Sequence, residues 1–234
     1  IIKIVKKMSG KIIQGGLMDN VSVIIRSKNE QDHVGFAIQS CLDYLKDPQI
    51  IVVDNESTDD TLGVVNLFVD RADIKIVSIE KDQYTPGRSI NMGVREADQD
   101  TCLVLSAHCQ IRELNNTWPR FHQELEAHCA VFGKQIPIYM GKKITPRYIW
   151  SHFGDEEVVN MYSTIEDRLF LHNAFCFYKR ETLLDYPMPE SYSGKEDRYW
   201  AIDMVDNGHK FLYWPQLVTH HYYTNNGATW RGMS

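Results

Sequence analysis

Apolar residues in this chain fall into short unbroken runs, separated by stretches in which they recur with a helical period. Ile50, Ile51, Val52 and Val53 follow one another without a polar break, and Val21–Ile25 and Thr101–Leu105 repeat the pattern almost as cleanly. A strand with water on one face alternates polar and apolar positions. One without alternation must be covered on both faces, as in a parallel sheet packed between helices. After the first run, Asp32 to Leu45 sets Val34, Ala37, Ile38, Cys41, Leu42 and Leu45 at helical spacing, and Pro48 closes the segment. A helix over Thr61–Phe68, a strand over Ile74–Ile79 and a helix beginning near Ser89 follow. Strand, helix and strand at such short spacing predict right-handed crossovers and an α/β fold.

The second half carries weaker signals. A helix is expected over Asn116–His128, a strand over Ala130–Tyr139, a helix over Glu196–Val205 that stops at Asn207-Gly208, and a last strand over Phe211–Val218. Phe170–Tyr178 is strongly aromatic, and Lys142–Thr164 has no clear period. Residues 1–20 are basic and punctuated by glycine, which reads as a leader or tag-like extension. Residues 222–234 read as a loop that closes over a ligand or as the start of a longer tail, leaving one domain over 21–221.

Composition narrows the function classes. Hydrophobic residues at 43% and charged residues at 24% are ordinary for a folded globular chain, and a formal net charge of −6 argues against a general nucleic-acid binder. Any phosphate must then be met by local cations. Five cysteines form an odd set with no CxxC pair, which disfavours a disulfide framework or a zinc knuckle and suits a reducing, cytoplasmic location. No run reaches the length of a membrane span.

The candidate chemistry gathers where the strands end. Ligands of open α/β sheets bind beyond the carboxyl ends of the strands, and Asp54 stands at the end of the most apolar one. Ser57 or Thr58 is placed to cap the following helix. Arg26 and Lys28, at the first strand's exit, are equally suited to a diphosphate or to solvent. Arg88 and Asn91 fall at a helix N-terminus, where anions are favoured, although neither a GxGxxG nor a Walker pattern is present. Glu196 and Asp197 occupy the first turn of a late helix, where dipole compensation alone would explain acids.

Taken in order, five segments resemble the family 2 glycosyltransferases of the GT-A fold. They are VSVIIRSKNE, IIVVDNESTDDT, TPGRSINMGVREA, GKEDRYWAIDMVDNGHK and PQLVTH, and together they span about Val21 to His221. The resemblance implies a single Rossmann-like GT-A domain with a mostly parallel central sheet. It also implies a nucleotide-sugar site built from Arg26, Asn29, Glu30, Asp54 and Ser57, with Arg88, Asn91, Ser106 and His108 around the diphosphate. In such a site Asp54 reads the nucleobase, and Asp197, with Glu196 beside it, supplies the catalytic base. Inverting transfer needs such a carboxylate, to take the proton of an acceptor hydroxyl as it attacks the anomeric carbon. Glu166-Asp167-Arg168 repeats the acidic motif without a small-residue loop before it and is set aside as a decoy.

One departure from the family pattern bears on metals. Where the family usually carries Asp-x-Asp to hold a divalent metal, this chain has Ser106-Ala107-His108. His108 and His220 then become candidate ligands for Mn²⁺ or, less suitably, Mg²⁺, the alternative being a metal-independent site that relies on histidine and Arg88 charge. The implied activity is inverting, hexosyltransferase-like transfer from a nucleoside diphosphate sugar to a hydroxyl of a glycan or lipid-linked acceptor, as in polysaccharide biosynthesis. The acceptor would be bordered by Phe175–Arg180 and Glu196, and a lipid-linked one would bring the protein to a membrane surface. Two other readings share the layout: a catalytically inactive glycan- or nucleotide-binding module, and a sugar nucleotidyltransferase, which would want a glycine-rich basic loop where RSKNEQDHVG has one glycine.

Overall fold

A computed structural model describes residues 18–114, 118–139, 142–143, 148–225, 227 and 229. Its first half is β1 (Val21–Ser27), α1 (Val34–Tyr44), β2 (Gln49–Asp54), α2 (Thr61–Asn66), β3 (Asp73–Ser78), α3 (Pro86–Glu96) and β4 (Thr101–Ser106). The unbroken aliphatic runs are central strands, and every residue of β2 and β4 is buried. Alternate residues feed two cores. Val23, Ile25, Ile50 and Val52 pack with α1 and α2, whereas Ile24, Ile51 and Val53 pack with Ile90 and Val94 of α3. The four strands pair in parallel in the order β3-β2-β1-β4, which is the parallel sheet that the pattern predicts.

The second half adds β5 (Cys109–Leu114), α4 (Trp118–Ala127), β6 (Ala130–Tyr139), β7 (Lys142–Lys143), a 3₁₀ turn over Tyr148–His152, β8 (Val158–Val159), β9 (Tyr162–Ser163), β10 (Arg168–Leu169), β11 (Phe175–Lys179), α5 (Arg180–Asp185), α6 (Glu196–Asp206) and β12 (Phe211–Tyr222). The sheet continues β4-β11-β6-β12-β5 with mixed directions, β6 and β12 parallel and the other neighbours antiparallel. β9 and β10 form a separate hairpin.

Several boundaries differ from expectation for local reasons. α3 begins at Pro86 rather than near Ser89, because Thr85 caps it, its hydroxyl accepting from Arg88 N at 3.1 Å, and proline suits the first helical position. Neither Ser57 nor Thr58 caps α2, whose N-cap is Asp60. β12 runs on to Tyr222, past the expected end at Val218, after register shifts between Trp214 and Val218 and between Val218 and Thr219. Pro215, which has no N–H to donate, sits in the first of these irregularities. Gly133 lies opposite, where a Cβ would come within 2.5 Å of the Leu217 carbonyl oxygen. Met18, within the expected extension, bridges Leu45 and accepts from Lys46 N at 2.7 Å; residues 1–17 of that extension lie outside the described residues.

Candidate active site

Chain order reverses at β1. From it the chain crosses to β2 and β3 on one side, then returns to β4 on the other, which makes the β1/β4 pair the switch point where such sheets bind ligands. Arg26 and Ser106 are partners across that pair, Arg26 one residue from the end of β1 and Ser106 the last residue of β4. A cavity of about 290 Å³ opens there, lined by Arg26, Glu30, Ser106 and His108 from the strand exits and by Asn173 and Ser193–Arg198 from across the sheet.

The acid pair at the start of α6 faces this cavity, with each carboxylate held differently. Glu196 Oε1 meets the Arg26 guanidinium at 3.4 Å and the Asn173 side-chain amide at 3.4 Å. Burial and the adjacent Asp197 charge push the Glu196 carboxyl above its ordinary range. Asp197 Oδ2 accepts from Asn173 N at 2.9 Å and from Arg198 Nη1 at 2.9 Å. Burial works against ionisation here too and is the largest single influence, but the Arg198 charge and the hydrogen bonds from Asn173 N and Arg198 together hold the Asp197 carboxyl below its ordinary range. The two neighbouring carboxyls are therefore shifted in opposite directions, Asp197 toward the stronger acid and Glu196 toward the weaker.

A histidine and glutamine row lies next to the acids. Ala174 N donates to His172 Nδ1 at 3.3 Å, so this nitrogen is an acceptor, and the Gln135 amide must turn its NH₂ toward it, at 3.0 Å. The Gln135 carbonyl then faces His221 Nδ1 at 2.8 Å, which must carry a hydrogen. Burial pushes the His172 imidazole down to about 3, and burial with the nearby His108 and His172 pushes His221 well down. Both rings stay neutral. The His221 ring lies 4.9 Å from that of His108, whose Nδ1 is 3.0 Å from Glu30 Oε1.

Of the residues singled out from the sequence, Arg26, Glu30, Ser106, His108, Glu196 and Asp197 converge on the cavity. Asn29, Asp54 and Ser57 form a turn network beside it. Asp54 accepts from Ser57 N at 2.9 Å and from its hydroxyl at 2.5 Å, and the same hydroxyl accepts from Asn29 N at 2.8 Å. Arg88 lies outside the lining, its guanidinium donating to Gln83 at 3.0 Å. Asn91 is a clamp rather than a ligand-facing group. Its side chain donates to Met188 O at 2.8 Å and Glu190 Oε1 at 2.9 Å and accepts from Met188 N at 2.9 Å. His220 does not join His108: neighbours in a strand point to opposite faces, and the ring at His108 is that of His221, while His220 lies against Tyr222. Phe175–Tyr178 form a buried strand and cannot border an acceptor. Glu166, set aside from the sequence, lines the cavity and pairs with Arg198 at 3.3 Å and Lys195 at 3.1 Å. Gly227 and Thr229, in the expected covering loop, also line it.

The residues present do not fit a resident divalent metal. Ser106 and Ala107 offer no carboxylate, His220 points elsewhere, and among the described residues no three His, Cys, Asp or Glu side chains converge as a ligand set.

Residues 22–186 match the family model Glycosyl transferase family 2. The chain belongs to that family. The match ends short of the acid pair, so Glu196 and Asp197 rest on their geometry. This family member is 24% identical over 184 residues to the O-antigen chain rhamnosyltransferase WbaN of Salmonella anatum, covering 74% of the chain and 56% of that relative. It shares its fold with S. aureus TarS 1–349 in complex with UDP-GlcNAc, at TM-score 0.68 and 19% identity over 91% of this chain and 61% of that one. GalNAc-T7 with UDP, GalNAc and Mn²⁺ aligns at TM-score 0.65 and 14% identity, over 89% of this chain and 44% of that one. The chain thus spans just over half the length of this curated relative.

Proposed function

We propose that the protein is an inverting, hexosyltransferase-like enzyme that moves a sugar from a nucleoside diphosphate sugar to a hydroxyl of a glycan or lipid-linked acceptor. The observation that carries this reading is the buried acid pair set against Arg26 across the switch-point cavity. Asp197, ionised, takes the proton of the acceptor hydroxyl as its oxygen attacks the anomeric carbon, and the nucleoside diphosphate leaves from the opposite face, so the configuration inverts. Arg26 meets the growing negative charge on the leaving diphosphate. In this reading the Asn29–Asp54–Ser57 turn, held together by its own hydrogen bonds, seats the base and ribose. WbaN's name and TarS's UDP-GlcNAc complex support a nucleotide-sugar donor and a glycan product. Five free, buried cysteines suit a cytoplasmic location.

Calorimetric titration with UDP, GDP, CMP and dTDP, each with Mn²⁺ and with EDTA, tests the reading. One nucleotide is expected to bind, and to bind in EDTA as well. If none binds at millimolar concentration, the nucleotide-sugar assignment falls.

A further inference from the structure

The acid pair sits between two basic residues, Lys195 and Arg198, and one carboxylate from a distant hairpin reaches both. Glu166, between β9 and β10, places Oε2 at 3.1 Å from Lys195 Nζ and accepts from Arg198 Nη2 at 3.3 Å through Oε1. Lys195 is the N-cap of α6 and has φ of 62°, a left-handed conformation that a non-glycine residue holds only when its surroundings impose it. The Arg198 guanidinium also donates to Leu171 O at 2.7 Å and to Asp197 Oδ2 at 2.9 Å, and it lies 4.2 Å from the centre of the Phe170 ring. Phe170 is stacked in turn on His152 at 3.9 Å. Three oxygens and a ring face leave this side chain one orientation.

A purely structural role is the simpler explanation, and energetics argue against it. Buried ion clusters add little net stability over apolar side chains of the same volume, so stability is a poor reason to bury Glu166, Asp197 and Arg198 together. What the cluster does is aim a carboxylate. Arg198 Nη1 and Asn173 N grip the same oxygen of Asp197, which fixes the group's rotation while the guanidinium charge keeps it ionised. We propose that Arg198 is a positioning residue for the Asp197 carboxylate, and that Glu166, by gripping Lys195 and Arg198 together, sets the angle at which the acid pair faces the cavity. The proposal rests on the proton-accepting role of Asp197 given above.

The test compares Arg198→Lys, Arg198→Gln and Glu166→Gln by kinetics, with the nucleotide sugar whose nucleotide binds in the titration. It adds an NMR titration of ¹³C-labelled aspartate carboxyls, with Asp197 assigned by Asp197→Asn. Arg198→Lys is expected to lower kcat about 100-fold, the usual cost of an ångström's misplacement, with the donor KM within about twofold. Arg198→Gln should move both the acid limb of the pH–rate profile and the Asp197 carboxyl resonance to higher pH. Glu166→Gln removes a negative neighbour, so it should lower kcat about tenfold without raising the Asp197 titration. An Asp197 titration unchanged in Arg198→Gln overturns the proposal. So does activity that falls only in step with melting temperature across the three variants. Should the native protein turn over no nucleotide sugar, the functional reading fails, and the carboxyl titration still decides whether Arg198 governs Asp197.

Discussion

The two sides of the cavity hold their polar residues by different means. On the β1–β2 side, loops are laced through backbone amides: Asn29 N to Ser57, Glu30 N to Thr61, and Thr58 N to Asn29 Oδ1, at 2.7 to 2.8 Å. On the β11–α6 side, charged side chains hold one another, with buried Arg198 and exposed Lys195 set against Glu166, Asp197 beside Arg198, and Arg26 reaching over from β1 to Glu196. A laced loop that loses one side chain keeps most of its bonds. A charge cluster that loses one member leaves its partner buried and uncompensated, which costs several kcal/mol. The first side is a rigid seat, and the second is a tuned set of charges whose members cannot be changed singly without consequence.

The sharpest way to break this contrast is Asp197→Asn. Its effect should be the largest, a fall of about 10³-fold in sugar transfer, with calorimetry showing nucleotide affinity within about twofold of wild type. Transfer near the native rate would show that the acid pair is not where the proton goes.

A smaller effect is expected from pH. His172 and His221 are neutral in the fold, so the unfolded chain takes up protons below about pH 6.5 while the folded chain does not, until about pH 3 for His172. Stability is fully present above the unfolded value and declines as pH falls toward the folded one, by ~1.4 kcal/mol per pH unit for each histidine. Urea unfolding at pH 7 and pH 5 measures the slope, and His172→Gln should remove about half of the part due to this pair. An unchanged slope would mean that the rings are protonated within the fold. The smallest effect belongs to Arg88→Ala. Because its guanidinium is exposed and turned to Gln83, nucleotide affinity should change less than about twofold, and a tenfold loss would bring α3 into the site.

The same contrast explains what the sequence made legible. The runs at Val21, Ile50 and Thr101 are local signals, and they became β1, β2 and β4 because nothing but burial on two faces accommodates them. Asp54, Arg26 and the acid pair could be named for the same reason, since each stands at an element's end. Glu166 could not, because two Glu-Asp-Arg triplets look alike until a hairpin carries one of them to Arg198. The choice between His220 and His221 depended on β12 continuing through two register shifts, which leave no mark in the composition. Asn91 looked like an anion-facing residue at a helix start, but its partners lie 97 and 99 residues away in a turn that only the fold brings near.

Gln135 has a consequence beyond holding two rings. An amide side chain neither gains nor gives up a proton near neutral pH, so the bridge from His221 to His172 transmits orientation and blocks charge transfer. It behaves as an insulator set between two imidazoles that a carboxylate at the same position would join into a conducting path. The row beside the acid pair therefore has a polarity, with each member donating toward His172, and a proton released at Asp197 has no exit through it.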